Sequence, residues 1–242
     1  MIATLGLRQW VKRREHPLAD FAYRLAMALR GVAVPAVPLI HRPLLTLHLA
    51  IRNGISQTLR IFWYTPLFQA RLVRPAPQLY LYGVLPTVMG SLEIEIGAGT
   101  RVSAQTTFTG RTAGASIPRL HVGSNVDIGW QTTIAVGRRV VLGDNVRIAG
   151  RALLAGYPGH PLDAAARAAG LPETDDQVGD IVLEDDVWLA TGVTVSAGVR
   201  IGRGTVVAAG SVVTHDLAAG ILAGGVPARM IRPLKASQEE SK

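Results

Sequence analysis

Cysteine is absent from the 242 residues, which excludes disulfides, thiolate metal sites and a cysteine nucleophile. Aromatic residues are scarce at 5%, although hydrophobic residues reach 48%. The core must therefore be thin and aliphatic. Long uncharged runs are missing from the first 74 residues, where Arg or Lys interrupts every stretch before the roughly 18 residues a membrane span needs. The basic cluster Lys12-Arg13-Arg14 is not followed by an uninterrupted apolar core and cleavage site, so no secretory leader is read there.

Acidic residues are scarce in one region only. Residues 1–74 hold eleven Arg or Lys against Glu15 and Asp20, a charge of +9, while the remaining chain carries −1. This segment reads as amphipathic helix. Leu18, Phe21, Ala22, Leu25 and Leu29 share one helical face, and Gly31 is a stop signal. Pro35, Pro38 and Pro43 follow in an apolar stretch, and a second periodic segment at 44–61 leads into Phe62-Trp63-Tyr64. Aromatics beside arginines on apolar faces suit a helix lying in a membrane interface. The alternative is that these helices cap a neighbouring domain or pack on another subunit. No recognition motif accompanies the charge, so nucleic acid is not expected as a partner.

What the chain does have is a six-residue repeat. Aliphatic residues recur at Leu183, Leu189, Val195, Ile201, Val207 and Val213. Four places after each stands a small or branched residue: Val187, Val193, Val199, Thr205, Ser211 and Leu217. The register continues upstream through Leu142 and Ile148, through Val122, Ile128 and Ile134, and through Ile96, Val102 and Phe108. Neither helix nor ordinary strand has this period, whereas the coils of a parallel β-helix do. The expected fold is mainly β: a parallel β-helix solenoid over 81–234, an N-terminal helical extension over 1–80 and a polar tail over 235–242.

The register disappears between Leu154 and Leu183, where the chain reads Ala155-Gly-Tyr157-Pro-Gly-His160-Pro-Leu-Asp163 before an Ala-rich and then an acidic stretch. Rigid solenoids carry function on such excursions, here 155–180. His160, between Gly159 and Pro161, sits in a turn context, and an imidazole is chemically suited to removing a hydroxyl proton near neutral pH. From composition alone, a lone loop histidine is more often incidental than catalytic. Asp163 precedes Ala164–Ala169 as an N-cap, or orients His160.

These residues resemble the hexapeptide-repeat acyltransferases, particularly the maltose/galactoside and nodulation-type sugar O-acetyltransferases. The similarity lies in Gly-His160-Pro-Leu-Asp163 with Arg167, in Leu183-Glu-Asp-Asp-Val-Trp188, in Ala208-Ala209-Gly-Ser-Val-Val-Thr214 and in Gly225-Val-Pro-Ala-Arg229-Met-Ile-Arg232. The resemblance implies a left-handed β-helix, a homotrimer with sites between neighbouring solenoids, acetyl-CoA as donor and no metal. It makes His160 the general base for direct attack of an acceptor hydroxyl on the thioester. It places Trp188 at the border of donor and acceptor, where an aromatic could also simply fill a gap between loop and wall. Trp130, Gln131, Tyr157 and Asp163 are read as further acceptor-pocket residues, Trp130 or Gln131 in place of the family's usual Asn. Thr191, Ala209 and Thr214 would line the pantetheine groove, where closure of the coils also asks for small residues. Arg229 and Arg232 would meet coenzyme phosphates, a role that ordinary surface charge explains about as well. Two positions depart from the family pattern: Gly129 stands where an Asn often faces the acceptor, and His215 where a Lys often follows the last-rung Thr.

The expectation is a cytoplasmic acetyl-CoA-dependent O-acetyltransferase, peripheral on the membrane through residues 1–74. Its acceptor would be a sugar or lipid-linked saccharide, in surface polysaccharide biosynthesis. N-acetylation of an amino sugar or antibiotic uses nearly the same groups, and a non-catalytic scaffold is the alternative from another class. A γ-type carbonic anhydrase would need three zinc-binding histidines, and His121, His160 and His215 lack that spacing. A nucleotidyltransferase would add a glycine-rich nucleotide loop, which the N-terminal region lacks.

Overall fold

The computed structural model describes residues 2–234, with side chains from Gly6 onward; the tail at 235–242 lies outside the described residues. The chain divides into two compact units between Asn53 and Gly54. The first contains α1 (Ile2–Arg13), α2 (Pro17–Gly31) and most of α3 (Pro38–Leu59). Pro17 suits the first turn of α2, and the His16 ring accepts a hydrogen bond from the Leu18 N–H at 3.2 Å. Helix α2 ends at Gly31, as its sequence predicts. Helix α3 begins earlier than the periodicity suggests and contains Pro43. Pro38 fits its first turn, and Pro43 comes early enough that it forfeits only the bond to the Leu39 carbonyl. Arg14 and Arg24 grip Asp20 at 2.6 and 2.7 Å. The Arg14 hydrogen bond is the main reason the Asp20 carboxyl lies below its usual range. Ala19 is the one buried residue among those described in this unit.

In the second unit, α3 runs through a π-helical turn at Arg60–Tyr64 into α4 (Thr65–Gln69). Phe68 stacks on Phe108 with ring centroids 6.1 Å apart, and Phe68, Leu72, Ala76 and Leu79 extend the solenoid core. The Gln69 amide clips this segment shut, donating to the Ala76 carbonyl and accepting from its N–H, both at 2.7 Å. Residues 65–79 therefore plug the end of the solenoid, and the structural division falls about a helix length before the boundary at 80 read from sequence.

The solenoid has three parallel sheets. The first face holds Tyr80–Tyr82, Arg101–Ser103, Asp127–Ile128, Arg147–Ile148, Trp188–Leu189, Val206–Val207 and Ile221–Gly225, and ends on antiparallel Ala228–Pro233. The second stacks Thr87–Met89, Thr107–Gly110, Thr133–Val136, Leu153–Ala155, Thr194–Ser196 and Val212–Val213. The third stacks Glu93–Ile96, Arg119–Val122, Arg139–Leu142, Ile181–Leu183 and Arg200–Ile201. The six aliphatic residues that first revealed the period, Leu183 to Val213, are all 0% exposed. Burying them at roughly 25 cal/mol per Å² of apolar surface is what closes the coil. The repeat also starts two faces before its first sequence signal at Ile96: Leu81 is buried and in register with Val102.

Two corners are built from stacked left-handed residues. Asn125, Asn145 and Asp186 have φ of 54°, 59° and 61°, and their side chains form a ladder with steps of 2.8 and 3.0 Å. Asn and Asp tolerate this conformation best among non-glycine residues. Gln105, Gln131 and Arg151 do the same between the first and second faces, with steps of 3.0 and 3.2 Å. The third corner, between the second and third faces, is where the chain departs. It does so twice, at 111–118 and at 156–180.

Candidate active site

The two excursions meet at that third corner. Arg111 opens the shorter one and is almost fully buried. Its Nε donates to Glu173 Oε1 and its Nη1 to Asp175 Oδ1, both at 2.5 Å, while Nη2 donates to the Glu173 carbonyl at 3.0 Å. Arg111 and Glu173 side chains are only 4% and 5% exposed, so this pair fastens the longer loop to the wall out of water. The Asp175 hydrogen bond chiefly raises the Arg111 guanidinium above its usual range, and the same bond lowers the Asp175 carboxyl. Arg138 closes the base of the loop by donating to the Val178 carbonyl at 2.8 Å.

Inside this frame lies a groove of about 540 Å³ lined by Met89, Thr109, Thr112, Tyr157, His160, Arg167 and Leu171, among others. The Tyr157 hydroxyl shares a 3.0 Å hydrogen bond with Thr109 Oγ1, joining loop to wall. Gly159 has φ of 81°, a conformation that presents the next residue at low steric cost only from glycine. His160 is exposed and Pro161 behind it is buried. Arg167 Nη1 donates to the Pro161 and Leu162 carbonyls at 2.9 and 2.8 Å, fixing the backbone just past the histidine. Asp163 acts as the N-cap of α5 (Ala164–Ala168), its Oδ1 accepting from the Ala166 N–H at 2.7 Å. That geometry assigns Asp163 to the cap rather than to orienting His160. The arrangement can hold a hydroxylated ligand beside an imidazole.

The remaining sequence-named residues fall elsewhere on the single chain. Trp130, Gln131, Thr191 and Ala209 all lie at the corner between the first and second faces, where the Gly210 N–H donates to the Thr191 carbonyl at 2.9 Å. Trp130 is 49% exposed, with the Arg151 guanidinium 4.8 Å from its ring centroid, and Gln131 is committed to the corner ladder. Trp188 projects from the adjoining first face, 50% exposed. Gly129 lies so close to the next coil that a Cβ there would stand 2.6 Å from the Gly150 nitrogen. Thr214 sits after the last second-face strand, its Oγ1 2.8 Å from His215 Nδ1. His215 and Arg229 line one groove of about 370 Å³, and Arg232 follows on the same terminal strand. A cationic and a protonatable side chain are thus brought together at this groove. No group of three or more His, Asp or Glu poised for a metal occurs among the described residues.

Sequence reasoning missed Thr109, Thr112, Arg111 and Glu173. The available signal was the gap after Phe108, where the six-residue spacing fails before Leu120 and Val122.

The family model for bacterial transferase hexapeptide (six repeats) matches residues 180–215. A galactoside O-acetyltransferase from Escherichia coli (strain K12) is 35% identical over 115 residues, 48% of this chain and 54% of that protein. The chain thus spans about half the length of this curated relative. Among solved structures, a variant of AntD, an N-acyltransferase from Bacillus cereus, in complex with dTDP-4-amino-4,6-dideoxyglucose and coenzyme A, superposes with a TM-score of 0.57 at 19% identity, covering 71% of this chain and 89% of that one. AntD with dTDP and 3-hydroxybutyryl-CoA gives 0.55 at 16% identity, covering 70% and 87%. The fold shared with these structures is the left-handed parallel β-helix. Residues 180–215 thus match the hexapeptide family model, and the coils before and after them continue the same parallel β-helix.

Proposed function

We propose that the chain transfers an acetyl group from acetyl-CoA to a hydroxyl of a sugar or lipid-linked saccharide. The observation that carries this reading is the Gly159-His160-Pro161 turn, held by Arg167 over a groove that also contains Tyr157 and Thr109. In the reaction, the His160 imidazole takes the hydroxyl proton as the acceptor oxygen bonds to the thioester carbonyl carbon. The C–S bond then breaks, and the imidazolium returns its proton to the coenzyme sulfur. No acyl-enzyme is needed, in keeping with the absence of cysteine.

The division of the candidate residues between two corners favours a site completed by a second copy. His160 and Tyr157 of one subunit would face Trp130, Thr191 and Ala209 of its neighbour, as cyclic symmetry in a trimer allows. His215, Arg229 and Arg232 would meet the coenzyme phosphates. The enzyme would act on the cytosolic side, where acetyl-CoA is available, in assembly of a surface polysaccharide. A second reading, transfer to an amine, is favoured by the fold shared with AntD, whose ligand is an amino sugar. Incubation with acetyl-CoA and a panel of saccharides and amino sugars, with products mapped by mass spectrometry, tests both. Acetyl ester on a sugar hydroxyl supports the proposal, amide product selects the second reading, and no acetylated product from any acceptor contradicts both.

A further inference from the structure

The described helices leave a long apolar surface with nothing on it. Along α3, Ile40, Leu44, Leu47, Ile51, Ile55 and Leu59 recur at the spacing of one helical face. They are 55%, 55%, 56%, 54%, 58% and 41% exposed. Phe62 and Trp63 follow, also exposed, and α2 repeats the pattern with Leu18, Phe21, Leu25 and Leu29. A face of this size, left in water, marks a docking surface.

Charge identifies the occupant. Between Asp20 and Glu93 there is no acidic residue, whereas Arg24, Arg30, Arg42, Arg52, Arg60, Arg71 and Arg74 all lie in that interval. Among the described residues, Arg30, Arg42, Arg52, Arg60 and Arg71 form no ion pair with a carboxylate. The groove between α1 and α2 has the same character: Leu7, Val11 and Met27 with Arg8, Lys12 and Arg30 around about 540 Å³. A second copy packed α3 against α3 would set arginines against arginines, with no carboxylate between Phe21 and Leu92 to offset them. No described helix is long and apolar enough to cross a membrane. An anionic surface with an apolar interior satisfies both the stripe and its cations.

We propose that the exposed apolar stripe of α3, and separately the stripe of α2 with the cationic groove between α1 and α2, are docking elements for an anionic lipid bilayer. The apolar side chains enter the headgroup boundary while the arginines extend to the phosphates. This inference does not depend on the acyl-transfer reading, and its test requires no activity.

The test is co-sedimentation of the full chain with phosphatidylcholine vesicles, with and without phosphatidylglycerol, over a salt series. Binding is expected only with the anionic lipid, weakening as salt rises. Leu47→Glu with Ile51→Glu should weaken binding roughly tenfold or more, since it removes apolar insertion and adds repulsion. Both residues are exposed, so helix content by circular dichroism should persist; if it falls, Arg42→Gln with Arg52→Gln decides, with a several-fold loss expected. Parent protein that stays in the supernatant at low salt, or binding unchanged in the variants, overturns the proposal. A stripe variant that dissociates an oligomer, in a protein that ignores vesicles, assigns the face to contacts between copies and overturns it equally.

Discussion

The two halves of the molecule spend similar aliphatic residues in opposite ways. In the solenoid, the inward hexad residues are fully enclosed, and outward charges on the third face are paired across coils: Arg119 with Glu93 at 2.9 Å, Arg139 with Asp180 at 3.0 Å, Arg200 with Glu184 at 2.5 Å. In residues 1–53, helical apolar faces are exposed, and most cations have no carboxylate partner among the described residues. One unit encloses its apolar groups coil by coil; the other leaves most of them exposed. The boundary between these regimes lies near Gly54 rather than at the first strand, because Phe68 to Leu79 already belong to the solenoid core.

Truncation separates the regimes most sharply. Removing 1–79 takes away the plug over Phe108 and should abolish cooperative unfolding of the solenoid, whereas removing 1–53 should shift its melting temperature by only about 3 °C. Calorimetry of the two truncations checks this. If both melt alike, residues 65–79 are not the cap described.

The next effect concerns the loop. Arg111→Met strands the buried Glu173 carboxylate and should cost about 3–5 kcal/mol in chemical denaturation, or release 156–180 to protease while the coils stay folded. Adding Glu173→Leu should recover most of that loss. Asp163→Ala should cost about 1 kcal/mol through the lost cap of α5. Hydrogen exchange at Ala165 and Ala166 would register it locally.

The smallest effect is acid release. Asp175 has its carboxyl held below its ordinary value of 3.8 by the Arg111 hydrogen bond, so its folded-state pKa is the lower one. Its contribution is present above the ordinary value and lost as pH falls through the depressed one. Protease sensitivity of the loop should therefore rise as pH falls below the ordinary value of 3.8, and Asp175→Asn should raise it at neutral pH while flattening the acid limb. A parental profile that does not change with pH would contradict the pairing.

The comparison also explains what the residues revealed beforehand. The inward hexads were legible because a coil's core needs an aliphatic side chain at fixed spacing, with no long-range information required. The Asp163 cap was legible for the same local reason. Arg111 with Glu173 was not: a pair 62 positions apart leaves no local pattern, and only the missing rung after Phe108 hinted at a second excursion. The corner ladder through Gln131 was not legible either, because left-handed φ at a glutamine has no strong sequence signature. Pro43 suggested an interruption that an early helix position absorbs.

The central claim is that chemistry resides at the corner where both excursions leave the wall, with His160 as the base. Its direct test is the turnover of His160→Ala with saturating acetyl-CoA and an acceptor found by the product screen, after folding and coenzyme binding have been matched to the parent. The account predicts a loss of roughly 10²–10⁴-fold in turnover with coenzyme affinity nearly unchanged. Turnover within about threefold of the parent, where removal of a general base is worth at least 10², would contradict it.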